Sequence, residues 1–431
     1  MTALSRRHLL GLGAGLAGGL LLPRARAGRG DTPCSLIVVT ALGGWDVSYT
    51  IDPKPGSPLV DGPELDEDGG DDQDREVVRS YGALDVMTNP VKRPALDAFF
   101  SDWADRTLLV RGLWIGSISH DACATRVLTG QLADGLPDLG ALVADAVGRD
   151  AAIPYMDLGG ASRAGALAAI TGRAGRSNQL RHLLDRRTAL DAPAGSDIRF
   201  PQYIPAPAAR ADIATWQAAR AEAFAARWGG RPGGDAHIAD LTEAHARAAR
   251  LRDEGGRLAR QLGQGDAATL NAQVDTALDL LSSGLAHTAL IDSGVDWDTH
   301  DNNQDQHAHW QTLFNGLKRL ATGLDAEGLL DRTTVVVVSE MTRTPRRNAV
   351  GGKDHWPVTA AMAFGGPVRG GRVLGASDDG LDALPINLRT GLSDAAGVPL
   401  RYDHFIAGLL QAHGGDAARW FPGVTPLGGL T

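Results

Sequence analysis

Thiols are scarce in this chain: its 431 residues hold two cysteines, Cys34 and Cys123. A disulfide-dense scaffold and a thiolate metal cage are both excluded. Geometry opposes even a single bridge. Cys34 opens a predicted strand and Cys123 falls in a helix expected at that strand's far end, roughly 26 Å away for about eight residues. Cation excess is missing too. Lys and Arg total 42 against 51 Asp and Glu, a formal charge of −9, which argues against non-specific nucleic-acid binding. Past the first 27 residues no apolar stretch is long enough to span a bilayer, and no internal repeat suggests a solenoid.

The first 27 residues read as a targeting segment. Ser5-Arg6-Arg7-His8-Leu9-Leu10 is a twin-arginine start, residues 9–22 form a short Gly/Leu/Ala run, and Ala25-Arg26-Ala27 is an A-x-A cleavage site. Export is therefore expected, to the periplasm or medium, with a mature chain beginning near Gly28 and a formal charge of −13 once four arginines are removed. The twin-arginine route carries folded proteins, which favours a cofactor loaded before export. Residues 28–431 are expected to form one α/β domain with a helical insertion at about 206–265.

What is present is organised around residues 333–357, TTVVVVSEMTRTPRRNAVGGKDHWP. Four valines in a row read as a strand buried on both faces, at the centre of a parallel sheet. Residues 34–42 read as another buried strand running into Gly43-Gly44-Trp45-Asp46. Residues 106–113 and 287–291 are further strands. The first is followed by Ser119-His120-Asp121 at a helix N-terminus, an end that attracts anions; the second by Asp292, Asp296, Asp298, His300 and two asparagines. Helices are expected over 91–103, 139–147, 210–262, 270–285, 313–324 and 403–413, and strands over 153–158 and 359–364. The glycines of 365–374 suggest a hairpin. The acidic run 53–75 misses the spacing of a calcium loop and reads as a solvated loop. Strands alternating with helices indicate a mostly parallel sheet with right-handed crossovers.

In such sheets ligands gather at the strands' carboxyl ends. The residues expected there are Asp46, His120, Asp121, Asp298, His300, Glu340, Asp354 and His355. Carboxylates with imidazoles suit one or two divalent ions such as zinc, manganese or calcium, and a pair of ions could clamp the attacking and leaving oxygens of a phosphoryl or sulfuryl ester.

Together, the twin-arginine leader, GGWD at 43–46, SHDxxxxxxLTG at 119–130, WDTH at 297–300, SExxRTPRxN at 339–348 and GGxDHWP at 351–357 resemble the exported family called domain of unknown function 1501. That family is similar in fold to the alkaline phosphatase and sulfatase superfamily, which holds one or two metals at the carboxyl edge of a central sheet. The resemblance implies Asp46, Asp298, His300, Glu340 and His355 as metal ligands, with Asp354 orienting His355 or a bound water. Arg343 is expected to clamp an oxyanion or to form a structural ion pair. His120 falls where sulfatases carry the cysteine that becomes formylglycine, and Ala124 where their signature has arginine. A histidine cannot undergo that conversion, so His120 is expected to be a nucleophile or a further metal ligand, with Ser119 and Thr125 as other possible nucleophiles. The activity implied is metal-dependent hydrolysis of a small anionic ester. The alternative is a non-catalytic binding or assembly protein that keeps the shell and meets other exported proteins.

Overall fold

The computed structural model describes residues 34–67, 73–133, 135–173, 207–262 and 269–431. The expected leader, residues 1–27, lies outside the described residues.

In chain order the elements are β1 (Ser35–Thr40), a hairpin of β2 (Val77–Tyr81) and β3 (Leu84–Thr88), α1 (Pro94–Trp103), β4 (Thr107–Trp114), α2 (His120–Thr129), α3 (Leu139–Val147), β5 (Ile153–Asp157) and β6 (Thr171–Arg173). Next come α4 (Pro207–Trp228), α5 (Gly234–Leu262), α6 (Leu270–Ser282), β7 (Ala286–Asp292), α7 (Asp305–Ala326), β8 (Thr333–Val338), β9 (Thr342–Arg343), β10 (His355–Trp356), β11 (Val358–Phe364), β12 (Arg372–Gly375) and α8 (Tyr402–Ala412).

One eight-stranded sheet runs in the order β12-β4-β11-β8-β1-β7-β5-β6. Every strand in it has the same direction except β11, which is antiparallel to both β4 and β8. The mostly parallel sheet expected from the sequence is thus present, as a mixed sheet with one reversed strand. The valine strand β8 pairs with β1, Val336 opposite Val38, and all six of its residues are buried. Alternation assigns them to two cores. Val335 and Val337 join Ile37 and Val39 beneath α1, α6 and α7, while Val336 and Val338 join Leu36 and Val38 beneath α2, α3 and α8. A helix layer on each face explains why these strands are apolar on both sides.

Two expectations need correction. Residues 365–374 do not form a hairpin with β11: β12 pairs in parallel with β4, on the side of β4 away from β11. Glycines at positive φ, Gly365, Gly366 and Gly371, turn the chain there instead of closing a tight loop. The acidic run is also not simply solvated. Asp66 is 5% exposed, because Tyr49 Oη (2.5 Å) and Arg347 Nη2 (2.6 Å) donate to its carboxylate from inside. Residues 68–72 of that run lie outside the described residues. The helix expected over 313–324 begins earlier, at Asp305, directly after the Asp/Asn-rich turn. Cys34 and Cys123 are not joined by a disulfide.

Candidate metal centre at the carboxyl edge

Four chain segments meet where β1, β4, β7 and β8 end. The reversed strand supplies a fifth, because β11 begins at the edge where its neighbours finish, and His355 lies three residues before its first residue, Val358. The two-residue ribbon of β9 and β10 sets His355 opposite Arg343. Beneath these loops Trp45 stacks on Trp310 (centroids 4.9 Å) and meets Trp297 edge-on (6.3 Å). Such aromatic pairs are worth about 0.5–1.5 kcal/mol each beyond buried area, and they hold the 43–46 and 296–300 turns together. Gly43, at φ +117°, is required here: a Cβ would sit 2.7 Å from the Trp297 and Asp298 backbone nitrogens. Gly352 is equally constrained, since a Cβ would lie 1.8 Å from the His300 carbonyl oxygen.

His120, Asp298, His300 and His355 come together, each offering a donor atom within 4.8 Å of the others. The three rings are aimed from behind. His120 Nδ1 donates to Glu340 Oε1 (2.9 Å), His300 Nδ1 to Asp354 Oδ1 (2.9 Å) and His355 Nδ1 to the Ile118 carbonyl (2.7 Å). Carboxylate and carbonyl oxygens can only accept, so each Nδ1 carries a proton and, in the neutral ring, each Nε2 presents its lone pair. Those lone pairs face one another. His300 Nε2 lies 2.8 Å from His355 Nε2, both are near Asp298 Oδ1 (3.1 and 3.3 Å), and His120 Nε2 is buried without a hydrogen-bond partner, 3.4 Å from Asp298 Oδ2. Two nitrogen lone pairs at that distance repel unless positive charge lies between them.

Supporting charges shape the donors. Glu340, 1% exposed, also accepts from Gly43 N–H (2.7 Å). Its hydrogen bond pushes the His120 pKa up, making Nε2 a better donor to a cation. Burial pushes the Asp298 carboxyl up, but the hydrogen bond and charge of Arg343 outweigh this and hold it below its ordinary value. The hydrogen bond from His300 holds the Asp354 carboxyl down, outweighing the upward push of burial.

The remaining expected residues stand elsewhere. Glu340 and Asp354 touch imidazole Nδ1 atoms, behind the donor set, and Asp354 orients His300 in place of the expected His355. Asp121 is exposed in the first turn of α2, outside the cluster. Arg343, expected to face an anion, is fully buried. Its guanidinium donates to the carbonyls of Gly43, Gly44 (2.7 Å) and Lys353 (3.1 Å) and to Asp298 Oδ1 (2.6 Å), so the ion pair it forms is with Asp298. Asp46 is not brought to the cluster. Its Oδ1 accepts from Ser48 N–H (3.0 Å) and Ser48 Oγ (2.6 Å), and its Oδ2 from Asn303 Nδ2 (2.9 Å) and Lys353 Nζ (2.7 Å). Sequence reasoning missed Lys353, Asn303 and Gln306. The last holds the 43–46 turn by accepting from Asp46 N–H (2.9 Å). The signal available was position: Lys353 is the open position of GGxDHWP, and Asn303 and Gln306 come soon after WDTH.

The donor set suits a divalent ion. Imidazole nitrogens with one carboxylate are ligands for zinc-like ions, and donor atoms within 4.8 Å of one another would draw in toward the roughly 3.4 Å ligand separation that bonds of about 2.1 Å set around a tetrahedral ion.

A family model described as Protein of unknown function (DUF1501) matches residues 34–419, and the chain belongs to that family. No curated protein matches. Among solved structures, a protein in the alkaline phosphatase superfamily from Vibrio parahaemolyticus is 9% identical, with 90% of this chain and 67% of that one covered at a TM-score of 0.38. The lipoteichoic acid synthase LtaP from Listeria monocytogenes is 9% identical over 91% and 74%, TM-score 0.34. An alkaline phosphatase from an Antarctic bacterium is 10% identical over 77% and 90%, TM-score 0.33. Likeness at this level assigns neither an ion nor an activity.

Proposed function

We propose that this member of the DUF1501 family is an exported metal-dependent hydrolase of phosphate or sulfate esters, or of a related anionic group. The observation that carries the reading is the convergence of three imidazole Nε2 atoms on Asp298, with each Nδ1 proton held from behind. A divalent ion bound there supplies the positive charge that an ester's anionic oxygens need and makes water a stronger acid. The chain's own residues keep the arrangement ready. Glu340, Asp354 and the Ile118 carbonyl retain the Nδ1 protons, and Arg343 pins Asp298 while clamping the 43–44 carbonyls. The donor side chains are 18–38% exposed, so a small anionic substrate can reach them from solvent, as a closed structural ion site would not allow. Export rests on the twin-arginine pattern of residues 5–10. Among the described residues no helix is long and apolar enough to cross a membrane.

One observation favours the second reading, an exported binding or assembly protein that holds an ion without turnover: each of the three guanidinium nitrogens of Arg343 donates to the protein, which leaves the expected anion clamp otherwise engaged. The experiment is metal analysis of protein purified without added metal, paired with a panel of phosphomonoester, phosphodiester and sulfate ester substrates. Stoichiometric metal with turnover abolished in His300→Ala supports the hydrolase. Metal without turnover favours the binding protein, and no metal sinks both.

A further inference from the structure

We infer that Lys353 is a built-in cation occupying the position beside Asp46, so that the centre takes a single divalent ion on His120, Asp298, His300 and His355, with Asp46 outside its coordination. The inference rests on the metal-binding reading above and goes beyond it in fixing the number of ions and the role of Lys353. Asp46 leaves the end of β1, the central position in such a sheet, and is the carboxylate a second ion would be expected to use. Yet it has no lone pair to offer. Each carboxylate oxygen accepts two hydrogen bonds: Oδ1 from Ser48 N–H and Oγ, and Oδ2 from Asn303 and the Lys353 ammonium. Both ion-pair partners are fully buried, their side chains 0% exposed. An ion taking Asp46 would strand an ammonium in the interior, where an unpaired charge is strongly disfavoured. The turn has little room to rearrange. Gln306 accepts from Asp46 N–H, and Trp310 Nε1 donates to the Asp46 carbonyl (3.2 Å).

Local charge agrees independently. Asp46 and Lys353 cancel. Of the charged side chains that touch the three imidazoles or the Asp298 carboxylate, the acids, Asp298 included, are Asp298, Glu340 and Asp354 and the cation is Arg343. With neutral imidazoles this leaves a formal charge of −2, which one divalent ion neutralises and two would over-neutralise. Arg343 ties the two positions together by bonding both Asp298 and the Lys353 carbonyl.

The test begins with the full chain saturated with Zn²⁺, or separately with Mn²⁺, passed over a desalting column and assayed for metal per chain. One ion is expected. Two ions overturn the inference while leaving the metal-binding reading intact, and none overturns that reading and the inference with it. The double variant Asp46→Asn/Lys353→Met removes both charges at once, so no charge is left buried alone. It is expected to keep one ion with affinity within about threefold of the parent, and a tenfold or greater weakening makes Asp46 a ligand and overturns the inference. The metal count on the unmodified chain decides the question even if that variant fails to fold.

Discussion

Among the described residues, the His307 cluster and the His120–His300–His355 cluster both join histidine to carboxylate, and they solve the same electrostatic problem in opposite ways. In the buried one, His307 Nε2 faces Asp66 Oδ2 (3.1 Å), its Nδ1 accepts from Arg93, Arg93 pairs with Glu76, and Arg347 Nη2 donates to Asp66 Oδ1 (2.6 Å). Every acceptor there has a donor and every acid an arginine. Burial pushes the His307 pKa down, so the ring stays neutral and serves as a relay of hydrogen bonds. At the carboxyl edge the rings instead turn lone pairs toward one another around Asp298, with the Arg343 guanidinium in contact. Residue type therefore does not separate a structural cluster from a candidate ion site. The two differ in whether the chain supplies its own counter-cations.

The largest test of that contrast is Arg93→Met. It leaves Glu76, whose side chain is 0% exposed, uncompensated, and should cost roughly 3–5 kcal/mol of stability by denaturant titration with metal content unchanged. A variant that loses metal but not stability would erase the distinction. Next comes His300→Ala, expected to weaken ion binding at least about a hundredfold in a competition titration, beyond the 10–100-fold typical of supporting residues. Because His300 is partly exposed, its effect on folding should stay within about 1 kcal/mol. Glu340→Gln should fall between: the amide can still accept from Gly43 N–H and His120, but with less pull on the imidazole, so calorimetry is expected to show affinity lower by about 10-fold, up to 100-fold.

The smallest effect concerns another buried carboxylate, Asp138, whose hydrogen-bond donors include no cation. Asp138 caps α3 and accepts from the Ala141 and Arg163 N–H groups and Tyr155 Oη, yet burial pushes its pKa up to about 6. The folded state holds this proton more tightly than the unfolded chain does, and that sets the sign. Its contribution is fully present below about pH 4 and declines as pH rises through about 6, with a slope of at most about 1.4 kcal/mol per pH unit. Asp138→Asn should flatten that part of the stability profile. An unchanged profile would show that neutral donors alone compensate a buried acid, and counter-cations would then no longer distinguish the two clusters.

Much of the fold was legible because its signals are local. Consecutive valines, a double glycine at a strand end and an Asp-His pair after another strand announce buried strands and the polar turns that leave them. Glu340, His300 and Asp298 could be located at the carboxyl edge on that basis. Three things were not legible. The acidic run looked solvated because the cation that pairs with Asp66, Arg347, lies in another motif. Arg343 looked like an anion clamp because a guanidinium's partners cannot be read from its neighbours in sequence. Asp46 looked like a ligand because the ammonium that saturates it is Lys353, 307 positions away.

By itself, then, the sequence determined which strands are buried, that their ends carry imidazoles and carboxylates, and which family the chain resembles, since each depends on residue type and short-range period. Only the tertiary structure decided which of those groups meet. The reversal of β11 carries His355 to the edge where the parallel strands end, and the packing of the loop around 353 against the turn after β1 gives Asp46 a cation of its own. Strand direction and charge pairing are long-range choices, set by which neighbours bury which faces, and no window of sequence contains them.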